Sequence, residues 1–200
     1  NLAGSFAQPS AVICDISAFK TLPPHYISDG MAEVVKYGII ADRELFDSLA
    51  SRPASEFYEE IVSRCVSIKR DIVQRDEFDQ NERQLLNFGH TIGHAIEKLS
   101  GYAISHGHAV AVGMVCMARA SEAAGLAEKP CAQKTEESLR SLGLPLGCGF
   151  TAEEISLAAM RDKKIKGKEI TLVVVREIGC AVLHKIDTNE LEAFISAGLK

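Results

Sequence analysis

Four of the chain's six histidines fall between residues 90 and 108, and no other stretch constrains the fold as much. His90 and His94 are four apart, so on a helix they share one face, a turn from each other. His106 and His108 come just after a turn signal, Ser100-Gly101-Tyr102. The pattern asks for the starts of two helices to meet, and imidazoles gathered in that way suit a borderline-soft divalent cation. A lone histidine is more often a hydrogen-bonded core or capping residue. Four in so short a span point to a site.

The rest of the composition limits what such a site can serve. Two hundred residues suffice for one large domain or two small ones, and 46% hydrophobic residues can build a real core. The net charge of -5 and the brevity of the longest basic run, Arg161 to Lys168, argue against a nucleic-acid groove. That run has no aromatic residues and includes Asp162. No apolar run is long enough to span a bilayer, and no signal peptide opens the sequence. Cys14, Cys65, Cys116, Cys131, Cys148 and Cys180 are scattered without a Cys-x-x-Cys pair. They read as reduced thiols of a cytoplasmic protein, not as a zinc finger. The opening Asn1-Leu-Ala-Gly reads as the middle of a longer polypeptide.

Along the chain, the apolar run from Ala11 to Asp15 predicts a buried strand with no evident partner. Thr21-Leu-Pro-Pro24 breaks the chain, and Ser28 or Asp29 can cap a helix running to about Ile40. A short helix is expected near 43–50, ended by Pro53. The stripe Phe57, Ile61, Val62, Cys65, Ile68 and Val73 predicts a helix over 55–75 that carries Lys69. The charged stretch 76–83 reads as a solvated loop. Helices are expected over 90–99 and 106–124, the second apolar nearly all round and therefore buried. Small helices near 134–142 and 152–160 follow. A hairpin of 170–175 with 181–184 has a loop longer than two residues, and a last helix starts at Thr188 or Asn189. The fold class is mainly α (α+β): a helical domain with a small β-hairpin and one N-terminal strand.

Glu33, His90, His94, His106 and His108 are the candidate ligands, and spacing alone favours His90 with His94. Thr91 stands where a metalloprotease would carry its glutamate, so that class of peptidase is disfavoured. Lys36, Lys69, Arg83, Lys163 and Lys164 each have a plain reading as surface charge. The Arg83 fork suits a carboxylate or phosphate. A metal, several cations and an Asn amide together imply a small anionic substrate with oxygens to chelate.

These residues carry a resemblance. Gly30-Met-Ala-Glu-Val-Val-Lys-Tyr-Gly38, Leu86-Asn-Phe-Gly-His-Thr-Ile-Gly-His-Ala-Ile-Glu97, His106-Gly-x-Ala-Val-Ala-x-Gly-Met114 and Asp162-Lys-Lys164 resemble 3-dehydroquinate synthase, in order and over essentially the whole chain. The resemblance is to that family's C-terminal domain. It implies a helical metal domain, residues 26–200, that closes a cleft against an N-terminal NAD-binding domain absent from this sequence. Residues 1–25 would link to that domain and complete its sheet. The implied reaction converts 3-deoxy-D-arabino-heptulosonate 7-phosphate to 3-dehydroquinate and phosphate. NAD serves as a catalytic cofactor, with Zn2+ or Co2+ as the metal.

Carried over by motif, Glu33, His90 and His106 correspond to the metal ligands, in place of the His90–His94 pair that spacing favours. Lys36 would contact a substrate hydroxyl. Lys69 and Arg83 match the residues that hold the substrate carboxylate. Asn87, His94 and one of Lys163 or Lys164 match the phosphate-holding group, with Lys164 taken as the contact. Asn1 fits a further substrate contact. Ala18, Phe19, Lys20 and Thr21 match a segment lining the NAD site, whose main part lies in the absent domain. The resemblance further implies a cytoplasmic homodimer acting on a sugar-acid phosphate, with the isolated piece inactive.

The sequence departs from the family pattern in three places. His108 stands where glutamate is usual and reads as an outer-shell residue. Asp79 replaces a common glutamate, and Asn81-Glu82 replaces Gly-Leu. Other sugar-phosphate cyclases share the metal site. An iron-type alcohol dehydrogenase domain would need another ligand set and no carboxylate-binding cations. A non-catalytic metal-binding domain is the remaining alternative.

Overall fold

The computed structural model describes residues 9–162 and 168–199. It is mainly α-helical with one antiparallel hairpin, as the sequence predicts. Asn1, Lys163 and Lys164 lie outside the described residues. The six cysteines are unpaired. Among the described residues no helix is long and apolar enough to cross a membrane.

The front of the chain differs from expectation. Residues 11–15 form no ladder, and Ile13 is 93% exposed. An apolar run becomes a strand only where its backbone finds a partner. A 3-10 helix, Ile16–Thr21, follows and is capped by the Asp15 carboxylate, which accepts from the Ser17 N–H at 2.9 Å.

Helix α1, Pro24–Ala41, begins several residues before the expected cap. Pro24 occupies its first position, where a missing N–H costs nothing and the fixed φ already suits a helix. Ser28 and Asp29 therefore lie inside the helix. Met31, Ala32, Val35, Ile39 and Ile40 form its buried face. α2, Arg43–Ser51, is capped by Asp42, whose Oδ1 accepts from the Leu45 N–H at 3.0 Å. The bidentate Arg64–Asp42 pair, at 2.7 and 2.6 Å, ties this corner to α3, Tyr58–Arg75.

α4, His90–Leu99, and α5, His106–Ala123, start and stop close to where glycine and turn signals placed them. α5 is the central rod, with buried residues on every face, and α1, α4, the last helix and the hairpin all pack against it. Its glycines let backbones touch: a Cβ on Gly113 would sit 2.1 Å from the Gly89 carbonyl oxygen. α6, Ala132–Ser141, and α7, Ala152–Asp162, flank this core.

β1, Glu169–Glu177, pairs with β2, Cys180–Asp187. The turn holds only Ile178 and Gly179, shorter than expected, because a register shift between Val175 and Glu177 absorbs a residue. Gly179 has φ 90° and donates its N–H to the Ile39 carbonyl at 2.9 Å, which fixes the hairpin tip on α1. A 3-10 turn, Thr188–Glu190, leads into α8, Leu191–Gly198.

Candidate metal centre

Three helices bring Glu33, His90 and His106 together. Glu33 lies on α1, and the two histidines are the first residues of α4 and α5. A helix start leaves a side chain free of a preceding turn, so both rings can point out over the same spot. The approach depends on glycine. Gly89, before His90, has φ 77°, and a Cβ there would meet Met114 Cγ at 2.7 Å. The start of α5 is held from α1. Asp29 Oδ1 accepts from the Ser105 hydroxyl at 2.6 Å and the His108 N–H at 3.2 Å.

His90 Nε2 lies 3.4 Å from Glu33 Oε1, and His106 Nε2 lies 3.5 Å from the same oxygen. Glu33 Oε1 is buried and has no hydrogen-bond partner. Donors about 2.0–2.1 Å from one tetrahedral ion sit about 3.3 Å apart, so these separations match a tetrahedron's edge. One ligand atom from each of the three residues falls within 4.8 Å of the others. The chemistry of the donor set, one carboxylate and two imidazoles, suits zinc or cobalt and leaves coordination positions open. The residues fit a divalent ion.

The tautomers agree with that reading. His90 Nδ1 lies 3.0 Å from the Phe88 carbonyl, which can only accept, so Nδ1 carries the hydrogen and Nε2 keeps its lone pair. Burial, with the Lys36 charge, pushes His90 down to about 4. Burial alone would raise the Glu33 carboxyl, but the adjacent His106 and Lys36 outweigh it and hold it at about 2. His106 is lifted to about 9 by Glu33, against the effect of burial and with help from Glu97.

Lys36 is 3% exposed, and its Nζ stands 2.5 Å from Glu33 Oε2. Burial depresses its pKa, Glu33 opposes that, and Lys69 on α3 is near enough to add repulsion. One lysine and a histidine pair thus converge on one carboxylate, with Lys69 near Lys36.

The expected solvated loop after α3 is ordered. Asp76 accepts from the backbone N–H groups of Gln80 at 3.0 Å, Asn81 at 2.7 Å and Arg83 at 3.0 Å. Arg83 Nη1 donates to the Glu77 carbonyl at 2.6 Å. A 3-10 helix, Glu82–Asn87, then runs straight into Gly89 and His90 and leaves Asn87 exposed. So Arg83, Asn87 and His90 ride on one continuous segment.

His94 does not join the Glu33 group. It belongs to a second, overlapping set with Glu97 and His106. The His94 and His106 ring centroids are 5.9 Å apart. His108 is in neither set. Glu97 was not among the sequence candidates, although its i, i+4, i+7 spacing from His90 through His94 marks one helix face. Ala18, Phe19, Lys20 and Thr21 lie on the first 3-10 helix and belong to neither set. Phe19 packs edge-on against Tyr58 at 5.1 Å and helps line an apolar cavity of about 110 Å³ with Leu22, Tyr26 and Met31.

Comparison with known proteins gives the family and the fold. Residues 30–165 match the family described as 3-dehydroquinate synthase C-terminal. The chain is 40% identical over 202 residues to the 3-dehydroquinate synthase of Enterococcus faecalis (strain ATCC 47077 / OG1RF), covering 98% of this chain and 56% of that protein. It is also 40% identical to the 3-dehydroquinate synthase of Streptococcus sanguinis (strain SK36), covering 98% of this chain and 57% of that protein. The chain thus spans about half the length of the curated relatives it matches. Among solved structures it is similar to 2-epi-5-epi-valiolone synthase from Streptomyces hygroscopicus subsp. jinggangensis 5008, solved with NAD+ and Zn2+ bound. That match has a TM-score of 0.76 at 24% identity over 88% of this chain and 51% of that one. It is also similar to 2-deoxy-scyllo-inosose synthase complexed with carbaglucose-6-phosphate, NAD+ and Co2+, with a TM-score of 0.73 at 23% identity over 90% of this chain and 53% of that one. At those identities the structures show a shared fold.

Proposed function

This chain belongs to the 3-dehydroquinate synthase C-terminal family, and on that premise we propose that it is the metal- and substrate-binding part of a 3-dehydroquinate synthase. The reaction converts 3-deoxy-D-arabino-heptulosonate 7-phosphate to 3-dehydroquinate and phosphate, a step of the shikimate pathway. The observation that carries the reading is the buried Glu33 Oε1, which makes no hydrogen bond and faces two imidazole Nε2 atoms at 3.4 and 3.5 Å.

In this proposal Glu33, His90 and His106 hold Zn2+ or Co2+. The ion supplies Lewis acidity, which makes a bound hydroxyl easier to deprotonate. Every other role falls to side chains. Lys36, kept dry and next to Glu33, is poised to hold a substrate hydroxyl and to carry a proton at Nζ. Lys69 and Arg83 hold the carboxylate, Arg83 through a fork whose Nη1 the Glu77 carbonyl steadies. Asn87 and His94 hold the phosphate, together with Lys164. The segment of Ala18, Phe19, Lys20 and Thr21 borders the nicotinamide cofactor, most of whose site belongs to a separate NAD-binding domain joined through residues 1–25. The 200 residues alone then bind metal but do not turn over.

Two measurements test this. Elemental analysis is expected to find about one divalent ion per chain, lost in Glu33→Ala and His90→Ala and largely kept in His108→Ala. Equal loss in all three would reject the ligand set. NAD-dependent phosphate release from the heptulosonate phosphate is expected only when the NAD-binding part is added. Robust release by the chain alone, or turnover of a carboxylate-free sugar phosphate instead, would reject the reading.

A further inference from the structure

We propose that Glu97 is a positioning residue that orients His106 for the ion, an inference that rests on the ligand set proposed above. Glu97 Oε2 lies 3.2 Å from His106 Nδ1. The Glu97 side chain is 15% exposed, whereas the His106 side chain is 46% exposed. The ring that must be aimed is therefore the wetter of the two, and its anchor is the drier.

His106 needs such an anchor. As the first residue of α5 it has no preceding helical turn to restrict its ring. Its backbone is fixed by the Asp29 bridge to Ser105 and His108, but that bridge does not set χ1 or χ2. A carboxylate on Nδ1 does. It takes the ring hydrogen on that side and leaves the Nε2 lone pair facing Glu33. His90 shows the same arrangement with a different acceptor, since its Nδ1 is anchored by the Phe88 carbonyl. Both imidazoles thus have one nitrogen tied and the other presented to Glu33 Oε1. Glu97 sits seven residues after His90 on α4, so the helix that presents one ligand also holds the orienting group for the other.

The overlapping set of His94, Glu97 and His106 offers a rival use of Glu97, as a ligand of an ion on the far side of the ring. One neutral imidazole cannot give a lone pair at both nitrogens, so the two uses exclude each other. The three histidine rings and the two carboxylates, Glu33 and Glu97, are the groups to separate.

Co2+ titration of the full 200-residue chain, read by affinity and by the visible absorption of the bound ion, separates them. Glu97→Ala is expected to weaken Co2+ binding by about 10–100-fold and to alter the absorption band. Glu97→Gln is nearly isosteric, and its amide oxygen still accepts from Nδ1–H. It is expected to stay within about fivefold of the parent with an unchanged band. A merely structural carboxylate would not show that rescue. Parent-like affinity in Glu97→Ala, with binding abolished in Glu33→Ala, overturns the positioning role and leaves the ligand set standing. Binding retained in Glu33→Ala but lost in His94→Ala and Glu97→Ala places the ion in the rival set and overturns both.

Discussion

Asp29 on α1 reaches across to Ser105 and closes the start of α5: its Oδ1 accepts from the Ser105 hydroxyl at 2.6 Å. Ser105 precedes the helix but makes no side-chain cap of its own, so the cap is supplied from another helix. The same bridge fixes the spacing between Glu33, one turn on from Asp29, and His106. Asp29→Ala is expected to cost about 1–2 kcal/mol of stability, the usual loss for a cap, and to weaken divalent-ion binding as well. Denaturant unfolding of the metal-free chain and Co2+ affinity check the two parts. Unchanged affinity would show that the spacing is set elsewhere.

Backbone contact between α4 and α5 is the next expectation. Gly113 faces Gly89, where a Cβ would stand 2.1 Å from the carbonyl oxygen. That neighbour is backbone and cannot swing aside. Gly113→Ala is expected to destabilise by about 1–3 kcal/mol, as overpacking does, and to part the two helix starts that carry His90 and His106. Thermal unfolding and metal content read it. Full metal content in a destabilised variant would mean the starts move together.

How much of this was legible in the sequence depends on whether the cause is local. α4 and α5 were placed to within a residue because Gly89, Ser100-Gly101 and the turn before His106 are local stops. α1 began early because Pro23-Pro24 breaks a chain before it and starts a helix after it, and the sequence suggests the break first. The strand expected over 11–15 failed because a ladder partner cannot be read from five apolar residues. The Asp29 cap links residues far apart in the chain and left no local mark. Glu97 left one, the spacing from His90 and His94, but a carboxylate on a histidine face reads equally well as surface charge. Glu33 joined His90 and His106 through family resemblance, while spacing alone favoured His94.

Asp76 organises the loop that carries Arg83, through backbone N–H donors at Gln80, Asn81 and Arg83. Those donors hold its carboxyl below the ordinary 3.8. A depressed carboxylate stabilises the fold above its unfolded value and loses that contribution as pH falls through the folded one. Amide exchange at Asn81 and Arg83 is therefore expected to be slow at neutral pH and to quicken, relative to intrinsic rates, only below pH 3.8. Asp76→Ala should show the quickened exchange at neutral pH. It should also raise the KM for a carboxylate-bearing substrate in the assembled enzyme. Slow exchange in that variant would mean that the loop holds itself.

Protons should leave when the ion arrives, and the site's own charges say how many. In the metal-free chain Glu33, at about 2, is already ionised at pH 7, and His90, at about 4, is already neutral. Only His106, raised to about 9, still carries a proton that a ligand must give up. Its raised value also means that the Glu33–His106 pair stabilises the metal-free fold fully below the ordinary histidine value of 6.5 and less as pH rises through about 9. Binding of Zn2+ at pH 7 is thus expected to release about one proton, and affinity to rise about tenfold per pH unit until it levels near pH 9. Calorimetry in buffers of different ionisation enthalpy counts the proton directly. Release of none would mean that the ion does not displace the His106 proton.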